Sequence, residues 1–224
     1  MDNYGIVMII TLDGPSGSGK GTIAKKLSEK MQAWHLDSGL LYRALAFFMN
    51  NHPAQAIDIF IAECDVQWIS ETGETVVYFD KTCLNPYLRT EQVAQLASKI
   101  ASDCTVREIL LHKFRALALV HPNMIADGRD MGSVVFPQAD LKCYIDAPVD
   151  VRAWRRYQDL LKNDAAIQYD DVFFQIEQRD NRDRNRPCGA LCCPDKALVI
   201  NTTKYSVESA VDYIMSQIQK NITC

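Results

Sequence analysis

The sequence predicts an α/β protein in three layers, a parallel sheet flanked by helices, with a small antiparallel β insertion and a short helical lid. Three observations predict it. Short apolar runs alternate with amphipathic helical patterns, as parallel strands joined by crossover helices require. A glycine-rich stretch, residues 14–22, separates the first such strand from the first such helix. Residues 53–90 drop the alternation for two β-rich runs around a glycine turn.

Taken in order, residues 6–12 form a β-branched run closed by Gly14 and Pro15, the pattern of a buried parallel strand. After the glycine loop, Ile23, Leu27 and Met31 recur at helical spacing with Lys and Glu between them. Strand, loop and helix thus stand as one unit. In the insertion, residues 66–69 and 75–79 flank Glu71-Thr72-Gly73-Glu74 and read as a hairpin, with a third short strand at 82–84. Val93, Leu96, Ala97 and Ile100 mark one helix, and Val106, Ile109, Leu110, Phe114 and Leu117 another. Residues 123–126, 141–145 and 197–200 repeat the strand signal. A helix beginning near Asp170 runs into an arginine-rich stretch, and a last helix (Val207, Val211, Ile214, Ile218) starts from a Ser206 cap. One domain over 1–224 follows: core 1–52 with the glycine loop, insertion 53–90, core 91–154, lid region 155–190 and core 191–224.

Composition narrows the class. With 48% hydrophobic and 23% charged residues the chain is globular rather than disordered, and 224 residues suffice for one sizeable core. A net charge of −4 argues against a protein that coats nucleic acid, although Arg179, Arg182, Arg184 and Arg186 crowd into one stretch. Residues 6–12 follow Met1-Asp2-Asn3 with no basic residue ahead and no cleavage pattern behind, and no run is long enough to cross a bilayer. The expectation is a cytoplasmic, reduced protein without a membrane partner. Cys64, Cys83, Cys104 and Cys143 then read as small hydrophobes. Cys188, Cys192 and Cys193 lack the paired C-x-x-C spacing of a zinc site and read as loop, so no protein-held metal is assigned. His35, His52, His112 and His121 form no catalytic spacing.

Residues 14–22 read Gly-Pro-Ser-Gly-Ser-Gly-Lys-Gly-Thr. Gly14-x-x-x-x-Gly19-Lys20 places successive backbone N–H groups around a concavity at a helix N-terminus, suited to a polyphosphate, so the three layers are of the P-loop NTPase type. The general motif wants Ser or Thr after the lysine to ligate Mg²⁺. Here that position is Gly21, and the hydroxyl comes one place later at Thr22. Gly-Lys-Gly-Thr resembles the nucleoside monophosphate kinases, a resemblance that implies Mg²⁺ held mainly through phosphates and water.

The acceptor side is read from four segments. Asp37-Ser38-Gly39 caps a helix that brings Tyr42 and Arg43 forward, and a guanidinium there suits bidentate capture of a monophosphate; alone, Arg43 reads equally as a surface arginine. Arg129 and Asp130 follow a strand at its carboxyl end, where open α/β sheets bind ligands. Arg179, Arg182, Asp183 and Arg186 lie at i, i+3, i+4 and i+7 and share a helix face, with an excess of positive charge that would neutralise a transferring phosphoryl group. A salt-bridged, solvated helix is the bland alternative.

The segments Trp34 through Arg43, Ile125 through Gly132 and Arg179 through Arg186, together with the glycine loop, resemble bacterial-type cytidylate kinases in order and over nearly the whole chain. The insertion matches that family's enlarged nucleotide-binding region. The resemblance implies transfer of the γ-phosphoryl group of MgATP to CMP and dCMP, giving ADP and CDP or dCDP. It implies ATP contacts from Gly14, Pro15, Ser16, Gly17, Ser18, Gly19, Lys20, Gly21 and Thr22. It places the pyrimidine against Ser98, Arg107 and Asp130 with Ser38 and Tyr42 lining the site, the ribose against Arg179 and Asp183, and the monophosphate against Arg43, Arg129 and Arg186. Lys20, Arg129, Arg182 and Arg186 would stabilise the transferring group. Small-molecule partners only, and a monomer, are expected. The competing readings are another small P-loop kinase, acting on UMP, AMP or shikimate, and a nucleic-acid binder using the arginines. Against the latter stands the lack of aromatics among those arginines for base stacking.

Overall fold

In the computed structural model, residues 7–162 and 166–223 are described, the side chains of 221–223 excepted. Ile6 of the expected first strand, residues 1–5 of the core, residues 163–165 of the lid region and Cys224 lie outside them. Strand β1 (Ile9–Asp13) sits at the centre of a five-stranded sheet. Beside it run β6 (Met124–Gly128) and β7 (Leu141–Asp146), with β2 (Trp34–Asp37) and β8 (Leu198–Asn201) at the edges. Every pairing is parallel, with Ile10 facing Ile125 on one side and Leu141 on the other. A central strand buried on both faces must be apolar throughout, and Ile10 and Leu12 are fully buried.

Helices cover both faces. Helix α1 (Lys20–Met31) packs with α9 (Val207–Thr223), burying Ile23, Leu27, Ile214 and Ile218 against Ile125 and Ile145. The Ser206 hydroxyl accepts from Ser209 N, as a cap should. On the other face lie α2 (Ser38–Asn51), α5 (Glu91–Ile100) and α6 (Cys104–Val120) around Leu41, Leu45, Phe48, Leu110 and Phe114. Each such fully buried side chain stabilises the fold by about 1.5–3 kcal/mol.

The insertion is a three-stranded antiparallel sheet of β3 (Asp65–Ile69), β4 (Glu74–Phe79) and β5 (Thr82–Cys83), its turn at Gly73 in left-handed geometry (φ 64°). It also carries two short helices that alternation could not reveal, α3 (Ile57–Glu63) and α4 (Asn85–Leu88). The lid region is a helical pair, α7 (Val149–Leu161) and α8 (Tyr169–Asn185), packed through Ala153, Val172 and Ile176. A single π-helical turn (Met131–Val135) follows β6.

One expectation is corrected. Cys104 and Cys188 are not separate thiols but a disulfide, joining positions 84 apart in sequence. It forms because the start of α6 meets the chain just beyond α8, a proximity no sequence spacing announces. Cys64 and Cys143 are buried free thiols as expected, and burial pushes them up to about 11 and about 12.

Candidate active site

The phosphate loop leaves the carboxyl end of β1 and enters α1 at its positive end, Gly19 holding the N-cap position at φ 89°. Gly14 is required by space: a Cβ there would collide with the Ile145 carbonyl oxygen. Asp13, buried at the strand's end, accepts from Met131 N and Gly132 N at 2.7 Å each and so clamps the loop's root to the segment after β6. Burial outweighs those two bonds and pushes its carboxyl up to about 6. The loop is braced from behind. Arg152 donates to the Ser16 carbonyl at 3.0 Å, to Ala147 O at 2.8 Å and to the Asp180 carboxylate of α8 at 2.6 Å, all inside the protein. Thr202 donates to Ser18 O at 2.9 Å.

Lys20 is buried and donates to the Pro15 carbonyl at 3.3 Å, its one hydrogen bond among the described residues. Burial first, then Arg129 and Arg179, hold its ammonium down to about 7, against Asp127 and Asp37. It faces a cavity of about 540 Å³ at the carboxyl ends of β1, β2 and β6. Into the same cavity come Ser16, Gly21 and Thr22 of the loop, Ser38, Tyr42 and Arg43 of α2, Ser98 of α5, Arg107 of α6, Arg129 and Asp130 after β6, and Arg179, Asp183 and Arg186 of the lid.

Of the other expected residues, Gly14, Pro15, Gly17, Ser18 and Gly19 shape the loop without lining this cavity, and Arg182 turns its Nε to the Ser98 hydroxyl at 3.3 Å.

The facing walls are held by side-chain bonds, some to backbone and some to other side chains. Asp37 caps α2 by accepting from Leu40 N at 2.9 Å, and Ser38 donates to the Asp127 carbonyl at 2.7 Å. Arg43 donates to Leu88 O at 3.3 Å, reaching into the insertion. Arg107 pairs with Asp130 and lies 5.6 Å over the Tyr42 ring. Arg129 donates to Asp183 at 2.9 Å. Arg186 stands 3.6 Å from Asp130 and 3.8 Å from Asp183. Arg179, half-buried and with an unbonded Nε, has its guanidinium brought down to about 10 by burial and then by Arg129. Cations crowded this closely, with too few carboxylates among them, form a site for an anion. The disulfide ends here too: Gly189, next to Cys188, lies so close over Arg107 and Asp130 that a Cβ would strike both.

Several residues that line this cavity escape a reading of the sequence. Asp127 and His35 form a buried pair, Nε2 to Oδ1, at 3.2 Å. Burial works against both charges, yet their mutual bond keeps His35 above its ordinary value and Asp127 below its own. Arg156, Lys25 and Arg89 also reach the cavity, paired with Glu91 or Glu74. Of these, Asp127, next to last in β6 and two residues before Arg129, carried a signal that could have singled it out. A second cavity of about 420 Å³, lined by Asp146, Arg152, Asp180, Arg184 and Asn201, opens at the ends of β7 and β8.

Comparison with known proteins agrees with this geometry. The family model described as cytidylate kinase matches residues 10–220. A cytidylate kinase of Vibrio vulnificus is 38% identical over 219 residues, covering 96% of each chain. One of Enterobacter sp. is 40% identical over 210 residues, covering 91% of this chain and 92% of its own. Among solved structures, an uncharacterised protein of Eubacterium ventriosum superposes with a TM-score of 0.55 at 14% identity, over 95% of this chain and 98% of its own, a likeness of fold. With a family match over nearly its full length and relatives of this identity, the chain belongs to the cytidylate kinase family.

Proposed function

We propose that this chain transfers the γ-phosphoryl group of MgATP to CMP and dCMP, in line and without a covalent intermediate. The observation that carries the reading is the single cavity in which the loop's Lys20 faces Arg129, Arg179 and Arg186. Phosphoryl transfer asks for positioning and charge stabilisation more than for acid–base chemistry, and this is a cage of positive charge with an anion's place in it.

Residues 14–22 hold the donor phosphates, its base and ribose lying over the second cavity. Arg43, Arg129 and Arg186 hold the acceptor phosphate, and Arg179 and Asp183 its ribose. Cytosine offers an amine donor beside a ring-nitrogen acceptor, complementary to a carboxylate next to a guanidinium and a hydroxyl: Asp130, Arg107 and Ser98. Ser38 and Tyr42 close the same site. Uracil reverses that pattern and leaves buried groups unpaired. Lys20 follows the charge from donor to acceptor, and the lid helices bring Arg182, now on Ser98, toward it on closure.

Mg²⁺ arrives with ATP and screens its phosphates; the bare Gly21 position, faced by the Asp127 carboxylate, leaves room for its hydration shell. Among the described residues no helix is long and apolar enough to cross a membrane. A cytoplasmic monomer acting on small molecules fits the reading. ADP release by purified protein with CMP, dCMP, UMP and AMP as acceptors tests it. Turnover with CMP and dCMP is expected; turnover confined to AMP or to a non-nucleotide would overturn it.

A further inference from the structure

The histidine that sequence spacing left without a role sits between the two halves of this site. β2 and β6 run in register with His35 beside Ile125 and Asp37 beside Asp127, so both strands deliver a carboxylate to the cavity. Asp37 spends its carboxylate on the α2 cap. Asp127 does not. Its Oδ1 takes His35 Nε2, and its Oδ2 lies 3.5 Å from where a side chain on Gly21 would begin. Gly21 is the position at which the general phosphate loop carries a metal-binding hydroxyl. A carboxylate is thus aimed at the place the loop leaves bare.

We infer that His35 is a positioning residue for phosphoryl transfer: by donating from Nε2 to Oδ1, it fixes the Asp127 carboxylate so that Oδ2 faces the hydrated cation of MgATP beside Gly21. An ionised carboxylate only accepts, so the bond requires the proton on Nε2. His35 is itself fixed from the insertion, whose Thr75 hydroxyl donates to the His35 carbonyl at 2.6 Å. The Gly73 backbone of the hairpin turn lies near its ring, and Nδ1 is buried with no hydrogen-bond partner among the described residues. Thr75 and Gly73 belong to the acceptor-side insertion, so His35 also carries the docking of that hairpin to a donor-side carboxylate. The inference rests on the proposed donor arrangement, in which the cation lies near Gly21.

Three variants of the full-length protein separate the outcomes: His35→Leu, His35→Gln and Asp127→Asn. Each is measured for kcat, for KM toward CMP, and by calorimetry for ADP affinity with and without Mg²⁺. Loss of a group that orients a metal-site ligand lowers activity by about 10- to 100-fold. That loss is expected in kcat for His35→Leu, with KM for CMP near the parent value. The gain in ADP affinity on adding Mg²⁺ is expected to shrink in His35→Leu and Asp127→Asn alike. His35→Gln, whose amide can donate to the carboxylate, is expected to regain most of both. The double variant His35→Leu/Asp127→Asn is expected to be no worse than Asp127→Asn alone, because the two act as one unit. If His35→Leu does not fold, His35→Asn, whose shorter amide falls short of Asp127, takes its place with the same expectations. An unchanged Mg²⁺ response in His35→Leu beside an altered one in Asp127→Asn overturns the inference and leaves the donor arrangement standing. An unchanged response in Asp127→Asn overturns that arrangement, and the inference with it. Equal losses in kcat, KM and thermal stability, with no recovery in His35→Gln, would reduce His35 to a core residue.

Discussion

The two ends of the cavity are built on opposite plans. The donor end is a backbone structure: Arg152, Thr202 and the Asp13 clamp each bond main-chain groups that need not move, and Arg152 is itself held by Asp180. The acceptor end is a side-chain structure, in which Arg107 with Asp130 and Arg129 with Asp183 satisfy one another. A polyphosphate can settle into the first with little rearrangement. In the proposed function an acceptor nucleotide would exchange the second set of partners for its own, which would tie binding to movement of the lid and give selectivity over what is admitted.

The comparison can be broken or sharpened in order of expected effect. Lys20→Ala removes the phosphate loop's lysine from the donor end and is expected to lower kcat by about 10³-fold, as loss of a transition-state contact does, with its circular dichroism unchanged. Steady-state kinetics check it; retained turnover would contradict the mechanism. Arg152→Met takes the brace from the loop and leaves Asp180 buried without its partner. A stability loss of about 3–5 kcal/mol by denaturant titration is expected, and Arg152→Met/Asp180→Leu should recover much of it.

A third prediction concerns protons. With its ammonium held down to about 7, Lys20 is largely neutral in the free protein above that pH, and the phosphates of ATP restore its charge. ATP binding at about pH 8 is then expected to take up close to one proton, and at about pH 6 none from this group. Calorimetry in buffers of different ionisation enthalpy reads the number. The smallest effect belongs to neither end: Ser206→Ala removes the α9 cap and is expected to cost about 1 kcal/mol with no change in kinetics.

Legibility in the sequence follows the same division. The donor end is local, so strand, loop and helix could be read from one continuous run, and the register of Ile23, Leu27 and Met31 predicted the buried face of α1. The hairpin was legible because Gly73 marks its turn. β2 was not read as a strand, since its alternation of Trp34 and Leu36 with His35 and Asp37 spans only four residues, too short a run to stand out. The acceptor end is assembled from α2, α5, α6, β6 and α8, and only resemblance to a family joined those segments before the fold did. What stayed hidden depends on three-dimensional neighbours: the His35–Asp127 pair across two strands, the Arg152 brace, and the Cys104–Cys188 disulfide. Each residue is unremarkable beside its sequence neighbours.

The central claim is that separated acceptor-side residues, and Asp130 above all, choose the base. The ratio of kcat/KM for CMP to that for UMP, measured side by side in the parent protein and in Asp130→Asn, tests it most directly. A site built to pair with a substrate's polar edge rejects the wrong pattern by several orders of magnitude. The account predicts a strong CMP preference in the parent that falls by about 10²-fold or more in Asp130→Asn, while ADP affinity is unchanged. An equal preference for CMP in both proteins would contradict it.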